Sequence, residues 1–288
     1  PPAVRFVEGD PGLYRVFALG RVLHPNTSSY FGLHDIRLVD AVYPARYATY
    51  VLEFVNPDFP SFTTILPGAP TRCRANRWFD LLGVKYVFAA GSASPADCGE
   101  GSTGSAPGPA PAYSLVWDPP GPDLRVYRNE QAFPRAFLVE AVAPVSDGEA
   151  ALRRMREATF DPRRVAVVEG LPAAAALAMP PSRARDGIAP VQVLRYEDAR
   201  VTLRAVTPAP ALLVLTDLFY PGWAASVDGA AVPIYAADYA FRGVLVPPGE
   251  HVVEFAYRPT SLRVGLGVSL ASLVLLALVA GRFARAER

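Results

Sequence analysis

A chain of 288 residues is long enough for two ordinary domains, each with its own core, and its 51% apolar and 19% charged composition excludes a disordered protein. Lys and Arg total 28 against 27 Asp and Glu, a formal charge of +1 with no basic stripe, which excludes a nucleic-acid partner. Cys73 and Cys98 form no CxxC pair, and His24, His34 and His251 lack ligand spacing, so neither a metal nor a cofactor is expected. A Cys73–Cys98 disulfide and two free thiols both remain open. The chain opens PPAVRF, with neither a Met nor a charged-then-apolar leader, as expected of a piece of a longer protein.

The first strand signal is GLYRVFALG, residues 12–20, an alternating run bounded by glycines. The loop after it carries a polar cluster of His34, Asp35, Arg37 and Asp40, close in sequence to Tyr43 and Arg46. An Asp beside a His suits acid–base work if the fold brings the two within reach; the alternative is a loop fastened by side-chain bonds to backbone. Beyond Pro44, the spacing of Tyr47, Tyr50, Val51 and Phe54 predicts a helix. NRWFDLLGVKYVFAA predicts a short helix over 76–82, a stop at Gly83 and a buried strand over 84–89. Residues 91–111 have almost no apolar side chain except alanine and are expected to form a mobile loop.

YSLVWD, LRVYRN and RAFLVEAVA read as three strands, Ser146 and Glu149 as a capping box for the helix ALRRMREA, and RRVAVVEG as a closing strand. Residues 1–170 are therefore expected to form an α/β sheet domain, and 171–190, which lack any period, a linker. Seven short strand signals then crowd into 191–260, the spacing of an antiparallel β-sandwich. Within it Val201, Leu203 and Ala205 alternate with Thr202 and Arg204, and Val253, Phe255 and Tyr257 share one face. Asp228-Gly229 predicts a type I′ hairpin from Trp223 to a partner strand at 231–235. Tyr220, Trp223, Tyr235 and Tyr239 surround that hairpin and can form a stacking platform for sugar, or Trp223 can be a core anchor. Arg242 and Arg46 have planar forks suited to an anionic ligand or to ordinary ion pairs.

From Val264 to Gly281 the chain has 18 uncharged residues between Arg263 and Arg282, close to the span of a bilayer core. A transmembrane helix over 262–282 is expected, with 283–288 as a cytoplasmic tail and 1–261 extracytoplasmic, on a small excess of arginine in the tail. The predicted fold class is α+β: an N-terminal α/β sheet domain, an antiparallel β-sandwich and one C-terminal transmembrane helix. No nucleophile elbow, phosphate loop, dinucleotide fingerprint or HExxH appears, so no catalytic residue is assigned.

The stretch LLVLTDLFYPGWAASVDGAAVPIYAADYAFRGVLVPPGEHVVEFAYRPTSLRVGLGVSLASLVLL resembles the C-terminal end of the YfhO family of bacterial polytopic membrane proteins. HPNTSSYFGLHDIRLVDAVYPARY, LLGVKYVF, AFPRAFLVE and FDPRRVAVVE are similar to that family's extracytoplasmic region in the same order. The resemblance implies a GT-C-like glycosyltransferase of the bacterial cell membrane that uses polyprenyl-phosphate sugars to modify envelope polymers such as lipoteichoic acid. Its catalytic acidic residues would lie among N-terminal transmembrane helices outside this chain. The implied partners are those helices, the membrane, and cell-envelope glycan or polyprenyl-phosphate sugar. What the resemblance implies for this chain is an accessory region that binds or positions acceptor glycan, or alternatively a structural or partner-recruiting module. His34, Leu38 and Val39 depart from the family's pattern in this loop.

Overall fold

The computed structural model describes residues 1–19, 22–24, 26–37, 43–55, 77–91, 93–95, 113–121, 124–179 and 189–286. Asp40, Cys73, Cys98 and most of the loop at 91–111 lie outside them. The chain is α+β, and the described residues form three sheets.

The first sheet has strand order β1-β2-β4-β3, from β1 (Arg15–Ala18), β2 (Val84–Ala89), β3 (Tyr113–Trp117) and β4 (Arg125–Asn129). β1 and β2 are parallel, and a parallel pair needs a long crossover. It holds α2 (Thr27–Tyr30), α3 (Ala45–Tyr50), a π-helical turn at Val51–Val55, and α4 (Arg77–Leu81). Gly83 stops α4 as expected: its φ of 72° is one that L side chains rarely adopt, and a Cβ there would lie 3.1 Å from the Phe133 carbonyl. A helix without a clear sequence signal, α1 (Pro2–Glu8), buries Ala3, Val4 and Val7 with Val16, Phe88 and Val126 in a small core of its own.

The rest forms a two-sheet sandwich from β5 (Ala136–Val139), β6 (Ala141–Val145), α5 (Gly148–Arg156), β7 (Val165–Glu169), α6 (Ala173–Leu177), β8 (Ala189–Pro190), β9 (Gln192–Glu197), β10 (Arg200–Thr207), β11 (Ala211–Leu218), β12 (Trp223–Val227), β13 (Ala230–Val232), β14 (Tyr235–Ala237), β15 (Phe241–Val246) and β16 (Gly249–Tyr257). One sheet runs β13-β12-β16-β10-β9 and the other β6-β7-β14-β15-β11-β5-β8. Val201, Leu203, Val253 and Phe255 of the first face Leu213, Leu215 and Val244 of the second. The second is buried on its other face too, where Phe137, Leu212, Val214 and Phe241 meet Tyr50, Phe54, Phe79 and Met155. Double burial is why ALLVL in β11 reads as an unbroken apolar run.

Three local readings change. RAFLVEAVA is two strands, β5 and β6, placed far apart in the same sheet, with Glu140 between them. AVPIY is split at Pro233, which has no N–H for a ladder; β13 stays in the hairpin and β14 joins the opposite sheet. The cap of α5 is Asp147, whose carboxylate accepts from the Ala150 N–H at 2.9 Å, while Glu149 pairs with Arg153. The interval 171–190 contains α6, and the strands on its two sides are hydrogen-bonded, β5 to β11 and β7 to β14.

The final helix, α7 (Thr260–Ala286), follows β16 after only Arg258 and Pro259. Within its 21 residues Thr260–Ala280, an 18-residue stretch reaches a mean hydropathy of 2.2 and has none of its residues buried. At 1.5 Å per residue the 21 residues rise roughly 31 Å, which matches a bilayer core, and an all-round apolar helix with no protein covering it fits lipid.

Candidate functional site

Near its end β11 carries two polar residues, Thr216 and Asp217, after five buried apolar ones and before Leu218. Asp217 is ringed by three guanidinium groups. Arg135, just ahead of β5, donates from Nη2 to the Asp217 carboxylate and to the Tyr196 hydroxyl. Tyr196 of β9 donates to the same carboxylate, with its oxygen 3.0 and 3.1 Å from the two Asp217 oxygens. Arg15 of β1 stands 3.4 Å away and Arg242 of β15 3.6 Å. Arg15 also donates to the carbonyls of Leu82 and Thr216, both at 2.6 Å.

The side chains of Arg135 and Arg242 are 3% and 4% exposed and that of Arg15 13%, so this cluster holds two buried cations and one partly buried one against one anion. Burial alone would push the Asp217 carboxyl up, but Arg135, Arg15 and Arg242 outweigh it and hold the group below the usual carboxylate range. The same crowding brings Arg15 down to about 10, through burial first and the Arg135 charge second. Among the described residues, Arg135 Nε and Nη1 and Arg242 Nη1 are buried with no hydrogen-bond partner. Such donors are rare in folded proteins.

A cavity of about 260 Å³ opens beside this cluster, where β1, the loop at 26–37, α3 and the start of β5 meet. Arg15, Arg135, Ser28, Ser29, His34 and Arg37 line it. The expected polar loop thus reaches the cavity, and its members have different surroundings. Arg37 donates to both oxygens of Asp35, the closest contact being 2.7 Å, and to the carbonyls of Ala18 and Leu23. Asp35 also accepts from the Arg37 backbone N–H at 2.8 Å. The pair therefore fastens the loop. His34 is exposed and meets Tyr196 edge-on, with ring centroids 5.8 Å apart. Loss of water around its ring, then the charges of Arg135 and Arg15, lower its pKa.

Tyr43 is half-buried against the main core. Arg46 grips Glu169 with both ends of its fork, at 2.6 and 2.8 Å, and donates to the Tyr239 carbonyl. Its guanidinium lies 5.0 Å over the Tyr239 ring, away from the cavity lining.

The four aromatic residues expected around the hairpin, with Arg242, do not form one surface. Trp223 packs on the sandwich core, half-buried, with the Arg242 guanidinium 3.8 Å over its ring. Tyr257 and Tyr220 flank it at 5.3 and 6.3 Å between centroids. Gly222, at φ 104°, permits this approach, since a Cβ there would lie 2.6 Å from the Tyr257 ring. Tyr235 and Tyr239 pack instead on the main core, across the seven-stranded sheet from Trp223. The sheet's alternation causes this: Tyr235 pairs with Gly243, whose neighbour Arg242 points the other way.

Arg15, Arg135, Tyr196, Asp217 and Tyr257 are the members of these clusters that motif reading missed. The available signals were a lone Asp inside LLVLTDLF and an Arg heading the apolar run RAFLV. Among the described residues no group of three or more His, Cys, Asp or Glu side chains is placed to hold a metal ion.

No curated protein matches the chain, and no solved structure does. The model of a family described as "Bacterial membrane protein YfhO" matches residues 187–269. That segment contains β8 to β16 and the first turns of α7, with Tyr196, Asp217, Trp223 and Arg242 in it and Arg15 and Arg135 outside. Over residues 187–269, then, the chain is similar to the YfhO family of bacterial membrane proteins.

Proposed function

We propose that this chain is the extracytoplasmic, membrane-anchored part of a YfhO-like glycosyltransferase acting on cell-envelope polymers, and that it positions acceptor glycan beside the bilayer while catalysis resides elsewhere in the protein. The observation that carries this reading is the two-residue link between β16 and α7, which sets Tyr257, and with it Trp223 and Tyr220, at the border between sandwich and spanning helix. Aromatic side chains with one apolar body and one polar tip suit both that border and the flat faces of sugar rings. A second reading, a structural brace, is favoured by the Arg242 guanidinium covering one face of Trp223.

Two substitutions separate these readings. Tyr220, 36% exposed, is the accessible edge of the cluster, so Tyr220→Ala should leave the unfolding midpoint nearly unchanged and weaken binding of envelope glycan fragments by about 1–3 kcal/mol. Trp223→Ala, which empties the half-buried position under Arg242, should destabilise the fold by about 3 kcal/mol. Glycan binding that is unaffected by Tyr220→Ala leaves the brace as the surviving reading.

Orientation is tested separately. In a background with Cys73 and Cys98 changed to Ser, an impermeant maleimide applied to whole cells should label Asp118→Cys and spare Ala286→Cys. The reverse pattern would put residues 1–261 in the cytoplasm and end the extracytoplasmic assignment.

A further inference from the structure

We infer that the cavity beside Arg135 is a binding site for a phosphate group, either free or as the phosphomonoester end of a larger ligand. The inference stands on the charge and donor inventory of the cavity and does not rest on the glycosyltransferase reading.

Three guanidiniums share one carboxylate, Asp217, which leaves two positive charges in excess in a region where Arg135 and Arg242 are almost fully buried. Buried charges of one sign are costly unless an opposite charge joins them. Arg135 lines the cavity together with Arg15, and Arg135 is 3% exposed with Nε and Nη1 lacking any acceptor. Arginine N–H groups can only donate, so the group that completes them must accept, and an oxyanion accepts most strongly.

The rest of the lining agrees. Ser28 and Ser29 present hydroxyls, and Arg15 adds a second cation. The one carboxylate in the wall, Asp35, is already neutralised by Arg37 at 2.7 Å, so it does not repel an incoming anion. Leu33, Leu82 and Phe241 supply apolar wall for an organic remainder. The volume of about 260 Å³ is several times the roughly 30 Å³ share of one water. The pKa of His34, which also lines the cavity, is lowered by loss of water first and by the charges of Arg135 and Arg15 second.

The test uses the full chain in detergent, followed by thermal unfolding. Inorganic phosphate and glycerol 1-phosphate are titrated separately against potassium chloride at matched ionic strength. A saturable rise in melting temperature with either phosphate, absent with chloride, is the expected result. A response to both shows that the phosphate group suffices, and a response to glycerol 1-phosphate alone assigns the site to an ester. Arg135→Met should weaken the response at least ten-fold. Because that variant also disturbs the Asp217 cluster, Ser29→Glu is the second probe: it sets a fixed negative charge at an exposed wall position and should weaken phosphate at least ten-fold with the fold intact. No saturable rise with either phosphate, or Ser29→Glu responding like the unaltered chain, overturns the proposal.

Discussion

Asp217→Ala is expected to lower the stability of the folded chain by about 3–5 kcal/mol, the usual result of removing one partner from a buried ion cluster. The carboxylate is the shared acceptor for Arg135 and Tyr196 and the counter-charge for Arg15 and Arg242. Without it three guanidiniums face one another in a region that water hardly reaches, and their mutual repulsion adds to the lost hydrogen bonds. The shift of the denaturation midpoint measures this directly. A double variant, Asp217→Ala with Arg135→Met, should recover part of the loss because it removes the most buried of the stranded charges. Purely additive losses in the double variant, or a single-variant loss below about 1 kcal/mol, would show that these groups are not energetically coupled.

Asp238→Asn should remove a loss of stability that the parent suffers as pH rises from about 4 to about 7. Asp238 follows β14 with φ 44°, a left-handed backbone that Asp and Asn tolerate better than most residues. Its N–H donates to the Val167 carbonyl at 2.8 Å, and its Oδ1 accepts from the Val167 N–H at 2.9 Å, which ties β14 to β7. The residue is fully buried and Oδ2 has no partner. Burial pushes the carboxyl from 3.8 up to about 7, against a smaller lowering by the Val167 N–H.

A carboxyl whose folded pKa is raised is held protonated by the fold, so its contribution is fully present below the unfolded value near 4. The contribution is lost as pH rises from about 4 to about 7 and stays lost above. A shift of this size corresponds to on the order of 4 kcal/mol. At pH 4 the Asn variant and the parent should agree within about 1 kcal/mol, since each carries a neutral group with the same acceptor for Val167. At pH 8.5 the Asn variant should be the more stable by on the order of 2–4 kcal/mol. Two parallel pH–stability curves would mean that Asp238 does not titrate in this range.

Local chemistry was legible along much of the chain. Asp228 and Gly229 have φ of 50° and 82°, as the two central residues of a type I′ turn must, because the twist of that turn matches the strands it joins. Gly83 marked the end of α4, and the alternation of Val201, Leu203 and Ala205 marked the core face of β10, since both follow from backbone conformation and a two-residue period. The final helix was the clearest signal, because length and composition alone decide whether a segment suits lipid.

The partners of each strand and the meeting of its charged groups were settled only by the tertiary structure. The apolar run in β11 needed cover on both faces: β10 and β16 cover one, and the helices of the first half, across a segment that reads as a break, cover the other. Arg15 and Asp217 are 202 positions apart, and nothing near either one announces the other. The four aromatic residues around the hairpin lie close in sequence, between 220 and 239, yet the sheet put Trp223 and Tyr235 on opposite faces. Periodicity records which side of its own strand a residue takes. Long-range packing decides which other strand lies there, and with it which charges share a cavity.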